Sequence, residues 1–280
     1  MKDITTVTPE QLKKYEALKA YLKDLGSAAA SFSGGVDSTF LLCVAREVLG
    51  DDVVAVTANS EFFPVRERDE AAAFCAERGI RHIRFEAAVL NVEGVAENPK
   101  NRCYLCKKAL FTRIIEIQRE LGLAAVLEGS NVDDDGDYRP GKQAVLELGV
   151  RSPLRECGLT KADIRALSRH LGLPTWDKPS YACLASRVPY GDRITPETLS
   201  RVDRAEQLLI SLGFRQMRVR VHGDVARIEL EPEQFDAFMR REVRTEVDAA
   251  LRGMGFGYVA LDLRGFRSGS LNDGIVSGRA

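Results

Sequence analysis

Ser33-Gly34-Gly35-Val36-Asp37-Ser38 gathers small residues, hydroxyls and an acid into one short stretch. It lies between the apolar run SAAASF and the helical stretch TFLLCVAREVLG, which Gly50 closes. Two adjacent glycines let the backbone turn sharply and bring its N–H groups close to an anion. The helix that follows directs its positive end to the same place. Ser33 and Ser38 add donors, and Asp37 can hold a magnesium ion or orient the loop. The plainer alternative is a Gly-Gly turn in a βα connection, but the full SGGxDS context favours a nucleotide. The stretch has neither the Gly-Lys-Ser/Thr of a Walker loop nor Gly-x-Gly-x-x-Gly.

The cysteines form a second chemical group. Cys103 and Cys106 make a Cys-x-x-Cys before a helix, a spacing that lets two thiolates converge on one centre. Cys183 stands in the irregular stretch LPTWDKPSYACLASRVPYGDR. Three thiolates without a fourth suit a [4Fe-4S] cluster with one open iron, or a zinc site completed by another ligand. Cys43 and Cys75 fall within apolar helices and read as core, and Cys157 has no evident partner. A third group is basic. Arg218, Arg220 and His222 alternate on a strand and Arg187 follows Ser186, and guanidinium forks suit carboxylates and phosphates. The same alternation would also make a solvated strand face. Glu206, Glu229 and Asp262 could each hold a substrate, a metal or an arginine.

These groups need elements to position them. Helical spacing predicts helices over residues 9–24, 64–79, 106–121 and 161–172, the last with Thr160 and Asp163 in a capping-box arrangement. Short apolar runs at 53–58, 81–85 and 124–130 read as strands. Strands alternating with helices predict an α/β fold with a doubly wound, mostly parallel sheet. From Thr195 the pattern changes to a helix (196–212), paired strands (217–222 and 225–230), a helix (233–252) and a strand (257–262). That is a smaller C-terminal α+β domain. We expect domains at 1–188 and 189–280, with the irregular stretch as the junction loop.

Composition sets outer limits. The chain has 280 residues, 45% apolar and 29% charged, which excludes wholesale disorder and coiled coil. No apolar run approaches the roughly 20 residues needed to span a bilayer. The first residues, MKDITTVTPEQ, have no apolar signal region, so we expect a cytoplasmic protein with no membrane partner. A formal net charge of −1 argues against long nucleic acid as a partner. The C-terminal strands lack evident edge protection, which leans toward a homo-oligomer.

The SGGVDS stretch resembles the PP-loop of ATP pyrophosphatases, which cleave ATP between the α and β phosphates. Asn59-Ser60 and Glu128-Gly129-Ser130-Asn131-Val132-Asp133-Asp134 follow later strands. They resemble the segments where that family holds adenosine and lines the ATP site. The resemblance therefore implies that Ser33, Gly34, Gly35, Asp37, Ser38, Asn59, Ser60, Gly129 and Asp133 bind ATP with Mg2+. Lys161 matches a lysine placed near the phosphates, although a solvated first-turn lysine is nearly as good a reading.

A narrower resemblance runs over nearly the whole chain, through SFSGGVDST, ANSEFF, YRPG, SRVPYG, RVRVHGDVARIEL and YVALDLRGFRSGSLND. It is to the LarE family of sulfur transferases, which build the nickel-pincer cofactor. The resemblance implies adenylation of a carboxylate of pyridinium-3,5-biscarboxylic acid mononucleotide, then displacement of AMP by sulfur to leave a thiocarboxylate. Arg187, Arg218, Arg220 and His222 would bind that substrate, with Asp37, Lys161 and Cys183 catalytic. One type in the family sacrifices a cysteine five residues ahead of the arginine, a position occupied here by Ala182. The other holds a [4Fe-4S] cluster on three cysteines, a pattern that Cys103, Cys106 and Cys183 fit. We therefore expect cluster-mediated sulfur transfer. The alternatives are a tRNA thiolase with a similar cluster, an amide-forming ligase that leaves the cysteines idle, and a non-enzymatic zinc-holding protein.

Overall fold

The structure, a computed structural model, describes residues 7–136, 140–267 and 269–272. Tyr138 and Arg139 of the YRPG segment, and Ser268 and Asp273 of the last matched segment, lie outside the described residues. The chain forms two compact units. One comprises residues 1–60, 65–89 and 103–180, and the other 61–64, 90–102 and 181–280. Two short segments that precede residue 103 thus belong with the C-terminal part.

The first unit begins with α1 (Pro9–Leu25), β1 (Ala28–Ser31), α2 (Val36–Leu49), β2 (Val53–Asn59), α3 (Val65–Glu77) and β3 (His82–Glu86). It continues with α4 (Arg102–Glu120), β4 (Ala125–Leu127), α5 (Gly141–Glu147), α6 (Pro153–Glu156) and α7 (Lys161–His170). The four strands make a parallel sheet in the order β3-β2-β1-β4. Alternate strand residues face opposite sides. Ala28, Ala30, Val53 and Ala55 join a core with Leu18, Phe40, Leu41, Ile164 and Leu167 of α1, α2 and α7. Ala29, Val54, Val56 and Val126 face Phe111, Ile114 and Ile117 of α4 instead. Covering both faces is what a parallel sheet requires, and the apolar strand runs follow from it. The doubly wound expectation holds.

The second unit carries α8 (Pro196–Ser211), then β5 (Met217–His222) and β6 (Val225–Leu230), an antiparallel hairpin turning at Gly223-Asp224. After α9 (Phe235–Phe238) and α10 (Arg241–Gly253), β7 (Tyr258–Leu261) pairs parallel to β6. Leu199, Val202 and Leu209 of α8 and Val247 and Leu251 of α10 are buried with Val219, Ile228 and Leu230 of the sheet.

Three local expectations change. The helix expected over 233–252 is split, because Arg240 is extended (φ −54°, ψ 138°) and Phe238 turns in edge-on to Phe214, with centroids 5.6 Å apart. Packing there outweighs helix propensity. The strand expected over 124–130 covers Ala125–Leu127 alone, since Glu128 and its neighbours bend away to make hydrogen bonds. Finally, α4 starts at Arg102, so Cys103 and Cys106 sit within the helix, at its second and fifth residues, rather than before it.

The cap of α7 is built as its sequence implies. Thr160 Oγ1 accepts from the Asp163 N–H at 3.2 Å, and Asp163 Oδ2 accepts from the Thr160 N–H at 3.1 Å. Lys14 and Gln11 of α1 also donate to Asp163, at 2.8 and 3.2 Å. Burial raises the Asp163 carboxyl, but these donors outweigh it and hold it below its ordinary value. Its stabilising contribution is therefore fully present above the unfolded aspartate range, near pH 4, and is lost as pH falls through the lowered folded value. Thr160→Ala should cost about 1 kcal/mol in urea unfolding at neutral pH. Asp163→Asn should flatten the loss of stability below about pH 4, and an unchanged acid limb would show the pair to be idle.

Candidate functional site

In the four-stranded sheet, β1 has β2 on one side and β4 on the other. The order reverses there, and the crevice beyond the carboxyl ends of such strands is where α/β sheets bind ligands. The Ser33–Ser38 stretch leaves β1 at this point. Gly34 has φ +70°, and a Cβ on it would lie 3.3 Å from the Ala71 Cβ of α3, so side chains are excluded both by conformation and by space. Gly35 is the N-cap of α2 and brings no side chain to its first N–H groups. By contrast, threonine side chains cap α1, α7 and α8. The first N–H groups of α2 thus have no side-chain cap, an arrangement that suits an anion. Ser33 Oγ lies 3.0 Å from Ser38 Oγ and accepts the Gly35 N–H at 3.4 Å.

The segment after β4 closes the other side. A Cβ at Gly129 would sit 3.1 Å from the Ser38 nitrogen, so a side chain there would crowd this approach of backbone to helix start. The loop is held by Glu128, a buried acid that accepts from Ser130 N, Ser130 Oγ (2.7 Å) and Ser152 Oγ (2.5 Å). Lys107, next to Cys106, has its ammonium 3.8 Å from Glu128.

Lys161 opens α7 and donates to both carboxylate oxygens of Asp37, at 2.8 and 2.7 Å. Burial pushes the Asp37 carboxyl up, and Lys161 only partly offsets this. The Lys161 N–H in turn donates to Asp133 Oδ2 at 2.7 Å. Ser33, Gly34, Gly35, Asp37, Ser38, Gly129, Asp133 and Lys161 therefore assemble around one loop. Asn59, at the end of β2, donates to Glu86 at 2.8 Å and accepts from Arg68 at 3.2 Å, and Ser60 beside it is buried. The arrangement offers backbone donors, hydroxyls and one lysine to a polyphosphate.

The cysteines fall into two classes. Burial pushes the thiols of Cys43 and Cys75 up to about 11 and about 12, and raises that of Cys157. Those three remain thiols at neutral pH. Cys103 and Cys106, half-buried, are three residues apart on α4 and share a face. Cys183, also half-buried, belongs to the second unit. Among the described residues no group of three or more His, Cys, Asp and Glu is placed to hold a metal ion.

The arginines of the second unit are not a solvated face. Arg187 is fully buried and donates to both oxygens of Glu206 at 2.8 Å, and to the carbonyls of Ala182 (2.6 Å) and Cys183 (3.1 Å). Glu206 also accepts the Val219 N–H at 2.9 Å, and Arg187 holds its carboxyl below the ordinary range despite burial. Arg220 donates to Glu229 at 2.6 Å, to the Ser186 carbonyl at 2.7 Å and to Ser270 Oγ at 2.7 Å. Arg227 bridges Glu229 (3.2 Å) and Asp262 (2.5 Å). Arg218 differs. Its guanidinium lies 5.0 Å from the Phe266 ring centre and 5.9 Å from that of Tyr181. Burial and the Arg187 charge lower it to about 10. His222 is exposed at the strand end, so it does not share the burial of Arg218 and Arg220.

Glu128 was named in the sequence only as part of the segment after β4, with no role of its own. Lys178 was not singled out, yet its ammonium donates to the Gly34 carbonyl at 3.0 Å. No helix among the described residues is long and apolar enough to cross a membrane.

No protein-family model matches the chain. It is 44% identical to an uncharacterized protein of Synechocystis over 92% of its own length and 97% of that protein's. It is 25% identical to the glutamine-hydrolyzing GMP synthase of Aeropyrum pernix, over 69% of this chain and 41% of that one. A further relative, the pyridinium-3,5-bisthiocarboxylic acid mononucleotide synthase of Lactiplantibacillus plantarum, is 42% identical over 94% of this chain and 95% of its own. That extent of identity decides the matter: the chain belongs to the pyridinium-3,5-bisthiocarboxylic acid mononucleotide synthase family.

Proposed function

We propose that the protein uses ATP to adenylate a carboxylate of pyridinium-3,5-biscarboxylic acid mononucleotide, and that sulfur then displaces AMP to give a thiocarboxylate. The observation that carries this reading is the loop beyond β1, where Gly34, Gly35 and Ser38 meet Gly129 and the Asp37–Lys161 pair. Charge develops on the departing pyrophosphate, and fixed N–H and ammonium donors favour the transition state over the ground state. Magnesium would arrive with the nucleotide, and Asp37 and Asp133 are the acids beside the loop.

For the sulfur, Cys103 and Cys106 are half-buried and share one face of α4, and Cys183 stands four residues ahead of Arg187. Ala182 occupies the position at which a sacrificial cysteine would stand. This supports a [4Fe-4S] cluster held by those three, which when bound supplies a sulfide from an open iron position. The protein's own groups bind, orient and shield the acyl-adenylate. Arg218, whose guanidinium lies near the Phe266 ring, is the residue we assign to the anionic substrate.

Three outcomes follow. Asp37→Ala and Ser38→Ala should abolish pyrophosphate release in a coupled assay while circular dichroism is unchanged; full release by both would remove the nucleotide loop from the reading. Arg218→Ala should raise the KM for the pyridinium substrate about tenfold with little change for ATP. Arg187→Ala should instead lower stability by about 3–5 kcal/mol, because Glu206 is left buried and unpaired. Lastly, alanine at Cys103, Cys106 or Cys183 should lose iron, sulfide and thiocarboxylate product yet keep pyrophosphate release, whereas Cys43→Ala should keep its iron. A loss of about 34 Da on Cys183 after turnover, the mass of departing hydrogen sulfide, would replace the cluster by a sacrificial thiol.

A further inference from the structure

We propose that Lys178 is a positioning residue for the anion-binding backbone of the Ser33–Ser38 loop, acting through the Gly34 carbonyl. Its ammonium lies 3.0 Å from Gly34 O and 2.8 Å from Glu70 Oε2 on α3, with its side chain 13% exposed. The lysine is itself held. Arg165 of α7 donates to the Lys178 carbonyl and to that of Trp176, each at 2.8 Å, and the Lys178 N–H donates to Thr175 O at 3.0 Å. Arg165 stands one turn after Lys161, so a single helix presents the lysine that grips Asp37 and fixes the segment that grips Gly34.

The geometry explains what such a grip does. No peptide among the described residues is cis, so the oxygen of Gly34 and the N–H of Gly35 point in opposite directions within their shared plane. An ammonium on the oxygen fixes that plane and turns the Gly35 N–H away from Lys178. On that other side the N–H meets Ser33 Oγ at 3.4 Å, the weak end of the hydrogen-bond range. A phosphate oxygen can replace so long a contact at little cost. Two consecutive glycines have more backbone freedom than any other pair, and without an outside anchor the plane would turn. A cation on the carbonyl also polarises the peptide and strengthens its N–H as a donor.

The inference rests on the reading of this loop as the nucleotide loop. It assigns Lys178 to phosphate recognition and leaves the nucleoside to other groups. The test is calorimetric binding of magnesium pyrophosphate and of AMP to the full chain, for wild type, Lys178→Met and Glu70→Ala. Lys178→Met should weaken pyrophosphate about tenfold and leave AMP unchanged. Glu70→Ala, which frees the ammonium from its carboxylate but keeps its charge, should weaken pyrophosphate by a smaller factor. Equal pyrophosphate affinity in Lys178→Met and wild type overturns the inference, as does an equal loss for AMP, which would mean a general loosening of the loop. Tighter pyrophosphate binding by Glu70→Ala overturns it too, because the ammonium would then act as a direct charge on the anion. Should Lys178→Met fail to fold, Glu70→Ala at a half-exposed carboxylate still decides. Wild-type protein that binds no pyrophosphate would instead defeat the nucleotide-loop reading itself.

Discussion

The contact between Lys161 and Asp37 is the constraint on which the first unit turns. A carboxylate in the first turn of α2 is well placed for the helix field, but burial disfavours its charge. A lysine at the first residue of a helix is badly placed for that field, since the amino end already carries positive partial charge. Each placement is costly alone, and joined by two hydrogen bonds they offset each other. Much of the surrounding structure serves to hold this junction. The capping box of α7, the α1 donors on Asp163 and the Asp133 oxygen on the Lys161 N–H all fix where that ammonium stands.

The second unit solves a different problem with the same chemistry. Arg187, Arg218 and Arg220 are buried within one unit, together with Glu206 and Glu229. Burying ions gains little net stability, because desolvation consumes much of the attraction. What the network supplies is position. Arg187 also donates to the carbonyls of Ala182 and Cys183, and Arg220 to that of Ser186, so charge adds to the burial of Leu184, Ala185 and Val188 in fixing the irregular segment. A segment held in this way keeps its shape when a charged small molecule enters, provided the new charge does not displace a glutamate.

The two chemical tasks therefore make different demands on the chain. Anion binding by a loop needs backbone donors, small residues and a close neighbouring backbone, and the contacts of Gly34 and Gly129 meet that need. Recognition of a rigid polyanion needs side-chain cations whose orientation is set beforehand, because flexible lysines would lose more entropy on binding. Under the proposed function, arginine rather than lysine in the second unit answers that demand.

Sequence alone was enough for the parallel sheet, since alternating apolar runs and helical stretches admit few other arrangements. It was also enough for the loop after β1 and for the capping box of α7, which depend on residues a few positions apart. Long-range structure decided the rest. Whether Lys161 was a solvated first-turn residue or a partner of Asp37 depends on a contact across 124 residues. Whether Arg218 and Arg220 faced water could not be read from their alternation, because period two says that residues share a face and not what covers it. Lys178 carried no local signal, since its acceptor lies 144 residues away. The split between α9 and α10 likewise turned on Phe238 meeting Phe214. Local order is set by spacing along the chain, but burial and pairing belong to neighbours that only the folded chain brings together.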